Sequence, residues 1–213
     1  MSRYYRANVN RHYLAVMGDL IHYERNLPHR LPPGSDIFLT FRLAGSLPAA
    51  QMARLQAQFS STEDDTAETS YARQRRYFGK FDGLLDDGYH GPVWLRDRSI
   101  AEVVASSLRH FHGISYNLVC YCVMPNHVHL IVSLPEDAPP LAETLQRLKG
   151  YTALQANKLL GRTGQFWQRE TYDHIVRSAE EMTRIIAYVV NNPVKAGLAE
   201  NWEAWPHTYW SEP

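Results

Sequence analysis

The 213-residue chain lacks any long apolar run, and nothing in it approaches the ~18 uninterrupted apolar residues that a membrane helix needs. That excludes an ordinary membrane span. The polar opening, Met1 to Arg11, has no apolar signal-peptide core. The expectation is a cytoplasmic protein with no membrane partner. Cysteine is nearly absent too. Cys120 and Cys122 are separated by one residue inside an apolar run, which excludes a disulfide framework and a zinc C-x-x-C pair. They read as buried core thiols. Net charge is also missing, since 22 Lys and Arg balance 22 Asp and Glu. A chain that coats nucleic acid through bulk positive charge is thereby disfavoured, because backbone affinity comes from clustered cations. There are no internal repeats and no low-complexity linker.

What is present is an ordinary globular composition, 45% hydrophobic and 21% charged, on a length that suits one domain with extensions. Cations cluster locally at Arg73, Arg75, Arg76 and Lys80, at Arg147, Lys149, Lys158 and Arg162, and at Arg169 and Arg177. Each cluster is also what a solvated surface looks like.

Residues 1–34 read as an irregular or helical arm. Ile37 to Leu43 is dense in β-formers and predicts a strand. Residues 49–82 read as helical around a polar interruption from Ser60 to Thr69. A helix is predicted from Ser99, as N-cap with Glu102 as its capping-box partner, to His112. Ile114 to Met124 and His127 to Leu134 form a hairpin through Pro125-Asn126. Leu141 to Leu160 is amphipathic. A short strand is expected around Tyr172 to Val176. The last helix runs from Ala179 to Asn192, where Pro193 stops it. Residues 201–213 read as a tail. Strand, helix, strand, strand, helix, strand is the split β-α-β order of an α+β, ferredoxin-like fold, an antiparallel sheet with helices on one face.

The sharpest motif is Met124-Pro-Asn-His-Val-His-Leu-Ile131. Alternation along a strand turns His127 and His129 to one side and Val128 to the other. Two imidazoles ~6–7 Å apart along a strand converge on one divalent ion. Two exposed histidines on a solvated strand would carry the same spelling. The apolar flanks Leu118, Val119, Val123, Leu130, Ile131 and Val132 favour a central hairpin, where two polar rings on one face need a reason.

A second constellation is Tyr188-Val-Val-Asn-Asn192. Four residues of helix return a side chain to nearly the same face, so Tyr188 and Asn192 present a phenol and an amide together. A phenol oxygen is a nucleophile once its proton is removed, and an amide oxygen completes a hard metal's shell beside imidazoles. Taken alone, Tyr188 also fits a core aromatic, and Tyr151 and Tyr172 are rival nucleophiles. Phe166, Trp167 and Tyr172 offer rings for unpaired bases, with Lys149, Arg169 and Arg177 for phosphates. An aromatic mini-core between helices is the alternative. A hydrolase without a covalent intermediate would need an acidic base, for which only Glu170 and Asp173 stand near these elements.

Five segments in order carry a resemblance: Ile37-Phe-Leu-Thr-Phe-Arg-Leu43, the histidine hairpin from Val123, Leu148-Lys-Gly-Tyr-Thr152, Phe166-Trp-Gln-Arg-Glu-Thr-Tyr-Asp-His-Ile-Val-Arg177, and Tyr188-Val-Val-Asn-Asn-Pro-Val-Lys-Ala-Gly-Leu198. Across residues 35–200 the chain resembles the REP-associated tyrosine transposases, a branch of the single-tyrosine HUH transposases. The resemblance implies a ferredoxin-like HUH catalytic domain. It implies His127, His129 and Asn192 as ligands of a divalent metal, Mg or Mn, and Tyr188 as nucleophile. It implies cutting of single-stranded or hairpin DNA at REP-like palindromes through a 5′-phosphotyrosine link. From their residue types, Lys149, Arg169, Arg177, Trp167 and Lys195 are the expected DNA contacts. A monomer is expected and a dimer is the alternative. A hairpin-binding protein without cleavage is the competing reading.

Overall fold

In a computed structural model, the described residues are 32, 34–59, 67–87 and 91–211. The expected arm falls almost wholly outside them. Strand β1 (Asp36–Leu43) is followed by α1 (Ala49–Gln58) and α2 (Ala67–Asp86), then α3 (Arg98–His110), β2 (Asn117–Val123), β3 (His127–Ser133), α4 (Leu141–Leu159), β4 (Trp167–Ile175), α5 (Ala179–Lys195) and β5 (Thr208–Trp210).

The sheet order is β4-β1-β3-β2-β5, and every neighbouring pair is antiparallel. The first four strands stand in the ferredoxin-like order, so the expected α+β class is borne out. Alternation splits β1 cleanly. Ile37, Leu39, Phe41 and Leu43 join the core with Leu130 and Val132 of β3. Against them lie Ile100, Val104 and Leu108 of α3 and Leu141, Leu145 and Leu148 of α4. Phe38, Thr40 and Arg42 face the other way, the side on which α5 meets β3 through Asn192 and His129. The two crossover helices thus cover one face and the added helix the other.

Chain segment 45–92 forms a compact unit of its own, carrying α1 and α2. Tyr77 of α2 stacks on Phe81 with centroids 6.1 Å apart, and Phe59 meets Tyr77 edge-on. The ends of this unit meet tightly. A Cβ on Gly91, at φ +100°, would sit 2.0 Å from the Gly45 carbonyl oxygen, so only glycine fits there.

Three sequence expectations need correction. The N-cap of α3 is Asp97, whose Oδ1 accepts from the Ser99 N–H at 2.8 Å, while Glu102 binds Ser106 and Arg109 instead. The helix starts at Arg98, so Ser99 already lies in the first turn, where its N–H and hydroxyl both donate to Asp97, and the carboxylate also suits the helix dipole. Helix α5 passes through Pro193 to Lys195. The proline removes one N–H, but buried Asn192 and Pro193 hold the turn, and Ala196 N–H still reaches the Asn192 carbonyl at 2.9 Å. The segment read as a tail supplies β5, which pairs with β2. Three residues are too few to show a period.

Candidate metal and nucleophile site

Register builds the site before any side chain is considered. Thr40 stands between Tyr172 of β4 and His129 of β3, and His129 is opposite Cys122 of β2. Arg42 is opposite His127 one row further along. Paired residues share a face, so this is a polar row across the centre of the sheet. His127, His129 and Asn192 are all fully buried.

The two imidazoles converge. Their Nε2 atoms lie 3.0 Å apart, with ring planes at 74°. Each Nδ1 has an outer partner: Asn126 Oδ1 lies 2.6 Å from His127 Nδ1, and Thr40 Oγ1 lies 2.8 Å from His129 Nδ1. When Nδ1–H donates to Asn126 and to Thr40, both Nε2 atoms present lone pairs to one point. Second partners of this kind are how proteins fix metal-ligating histidines. Two facing lone pairs at that separation repel unless a cation lies between them.

Asn192 closes the third side. Its Nδ2 is 3.2 Å from His129 Nε2 and 3.3 Å from the Tyr188 hydroxyl, to which it donates. Its buried Oδ1 has no hydrogen-bond partner. An orphaned buried amide oxygen costs about 1–3 kcal/mol, which calls for an explanation. A half-turn of the amide turns that oxygen toward His129 Nε2. Ligand atoms about 2.1 Å from one ion and at right angles stand about 3.0 Å apart, close to the spacings observed here. The residues present therefore fit a divalent cation.

Tyr188 is half-buried at the rim. Its ring lies edge-on to His129 at 5.4 Å and to Phe38 at 6.3 Å, and Lys195 Nζ stands 5.5 Å from the ring centroid. The rivals sit elsewhere. Tyr151 is exposed on α4, the helix that covers the opposite face. Tyr172 shares the row but is 5% exposed, its ring edge-on to Phe38 at 6.1 Å. Asp173, the acidic alternative, alternates to the α4 side opposite Leu39, and burial raises its carboxyl to about 6. Glu170 is exposed and bonds to Gln168.

The expected DNA contacts divide. Arg169, Arg177 and Lys195 are exposed. Lys149 and Trp167 are engaged within the fold. Lys149 Nζ donates to the carbonyls of Gln168 (3.1 Å) and Arg169 (3.3 Å) and to Thr171 Oγ1 (2.8 Å), and burial lowers its ammonium to about 8. It ties α4 to the irregular start of β4. Trp167 is 5% exposed in the core, with its indole N–H donating to Thr152 Oγ1 at 2.8 Å. Phe166, also buried, stacks on Trp94. The aromatic mini-core is what forms here. Sequence reasoning missed Thr40 and Asn126 as partners of the histidines. Their signal was adjacency, since Asn126 precedes His127 and Thr40 lies on the strand that pairs with the histidine strand.

Residues 96–192 match the family described as transposases of the IS200-like kind. That stretch, somewhat less than half of the chain, is similar to that class. More particularly, the resemblance to REP-associated tyrosine transposases is borne out. A REP-associated tyrosine transposase of Escherichia coli K12 is 25% identical over 91 residues, covering 43% of this chain and 52% of that protein. A Haemophilus influenzae protein provisionally given the same name is 28% identical over 102 residues, covering 44% of this chain and 58% of that protein. The matches thus span little more than half the length of these relatives. A solved structure of a REP-associated tyrosine transposase bound to a REP hairpin aligns with a TM-score of 0.49 at 17% identity, covering 87% of this chain and 82% of the other. Among the described residues no helix is long and apolar enough to cross a membrane.

Proposed function

We propose that the chain is a metal-dependent single-stranded DNA endonuclease and strand transferase, acting at REP-type palindromic hairpins through a 5′-phosphotyrosine link. The observation that carries this is the reach of one amide: Asn192 touches both His129 Nε2 and the Tyr188 hydroxyl. That joins a candidate ligand set to a candidate nucleophile. Kinship with proteins named REP-associated tyrosine transposases supplies the substrate class.

His127, His129 and Asn192 would hold the divalent cation, Mg or Mn, which when bound supplies Lewis-acid polarisation of a phosphate oxygen. The rest belongs to the chain's own groups. Tyr188 Oη attacks phosphorus, forming a P–O bond to tyrosine and breaking the bond to the 3′ oxygen. The phenol proton passes to water, and the leaving 3′ oxygen takes one up. One phosphodiester replaces another, so bond energy is kept for rejoining. The Asn192 amide holds the phenol in place, donating to its oxygen as the side chain stands and accepting from its O–H once Oδ1 is turned toward a cation, and Lys195 places positive charge beside the ring. Exposed Arg169 and Arg177 fit the flanking phosphates.

The test is incubation with a panel of single-stranded palindromes, scored for a metal-dependent covalent adduct on a denaturing gel. The adduct should form with the wild type and vanish in Tyr188→Phe, with hairpin binding retained. An adduct surviving in Tyr188→Phe would overturn the nucleophile and point to Tyr151 or Tyr172. Hairpin binding with no adduct in the wild type would leave a recognition protein only.

A further inference from the structure

Helix α5 is held at its far end by a second buried polar contact. Glu181 lies in its first turn, and His174 lies on edge strand β4; both side chains are 7% exposed. His174 Nε2 and Glu181 Oε1 are 3.1 Å apart. The other carboxylate oxygen, Oε2, accepts from the Arg177 N–H at 2.8 Å, and Arg184 stands 3.7 Å from Oε1. Ser178-x-x-Glu181 is a capping-box spelling, and Ser178 Oγ does accept from the Glu181 N–H at 3.1 Å. The reach back from the first turn to the Arg177 N–H, one residue ahead of the Ser178 N-cap, accounts for one carboxylate oxygen. It does not explain why the other is buried against a histidine of a different element.

Helix geometry supplies a reason. Positions 181, 188 and 192 fall within about 40° of rotation, one narrow stripe along α5. The same stripe thus carries Glu181 at one end and Tyr188 with Asn192 two to three turns on. His174 is opposite Phe38 in the β4–β1 register, and the Phe38 ring packs against both His129 (5.8 Å) and Tyr188 (6.3 Å). A shift or roll of α5 that parted His174 from Glu181 would carry Tyr188 with it, because the helix is rigid over two turns.

We propose that His174 and Glu181 form a positioning clasp that fixes the rotation and height of α5, and so sets where the Tyr188 hydroxyl stands relative to His127 and His129. Neither residue touches the reacting atoms. The substrate-dependent part of the test rests on the function proposed above; the substrate-free part does not.

The central variant is His174→Ala, which opens the clasp and leaves the helix cap intact. Single-turnover adduct formation should slow by roughly 10–100-fold, the cost of a nucleophile misplaced by about 1 Å. Hairpin affinity should stay within about twofold, since the binding surface is untouched. His174→Gln restores a donor of similar reach and should recover most of the rate. Ser178→Ala weakens the helix by the cap alone; it should lower thermal stability without a comparable loss of rate. In parallel, fluorotyrosine placed at position 188 reports its ring by fluorine NMR in the DNA-free protein. Its resonance should move or broaden in His174→Ala and return in His174→Gln. If His174→Ala does not fold, Glu181→Met, which keeps the length of the side chain but has no oxygen to meet His174 or the Arg177 N–H, takes its place. Rates that track melting temperature across all variants, with an unmoved fluorine resonance, would overturn the clasp. A wild type that forms no adduct sinks the proposed function, while the fluorine signal still decides this one.

Discussion

Asn192 of α5 lies 3.2 Å from His129 of β3 across 63 residues of chain, and its own carbonyl oxygen is left buried and unpaired. A polar group in that state fits the proposed cation, which the amide would help to bind. Mn²⁺ at about 100 times its Kd should then stabilise the wild type by about 2.7 kcal/mol. Calorimetry should find this stabilisation largely lost in Asn192→Ala and absent in His129→Ala. Equal stabilisation of wild type and Asn192→Ala would remove the amide from the ligand set.

Thr40 is the outer partner of His129. Thr40→Val keeps the shape and removes the hydroxyl. Metal affinity, measured by titration calorimetry, should fall by about 10–100-fold, the usual cost of losing such a partner. Circular dichroism should show the sheet retained.

Arg169 is exposed, whereas Lys149 is committed to β4 carbonyls. In Arg169→Gln the slope of log affinity against log salt for hairpin DNA should fall by about 0.7–0.9, one phosphate contact. Lys149→Gln should leave that slope unchanged and lower thermal stability instead. The reverse pattern would restore Lys149 as the DNA contact.

Burial raises the Asp173 carboxyl from 3.8 to about 6. Between those values the folded chain holds a proton that the unfolded chain has lost, so this group's contribution to stability declines as pH rises through the window. Asp173→Asn removes that dependence. Melting curves should show the variant gaining on the wild type from about pH 4 to 6, with a constant gap above that. A gap that does not change with pH would mean the carboxyl titrates normally.

Much of the site was legible beforehand because its parts are local. His127-Val-His129 states its geometry through strand alternation, and Tyr188 with Asn192 through the helical repeat. The failures share a cause as well. Trp167 and Lys149 carry the residue types of a DNA interface, and only packing shows that one fills the core and the other caps a strand. No pattern along the chain pairs Glu181 with His174. Strand β5 and the passage of α5 through Pro193 depend on long-range pairing and burial that override weak local signals.

The sequence by itself determined the succession of the first four strands and their helices along the chain, the shared face of the two histidines and the shared face of Tyr188 and Asn192. Each follows from a short-range period, 2.0 along a strand and 3.6 along a helix. Tertiary structure decided that these two faces meet, with the histidine Nε2 atoms 3.0 Å apart and one amide bridging to the phenol. That meeting is a matter of which face of the sheet α5 covers. It is set by burial summed over the fold, which no local period encodes.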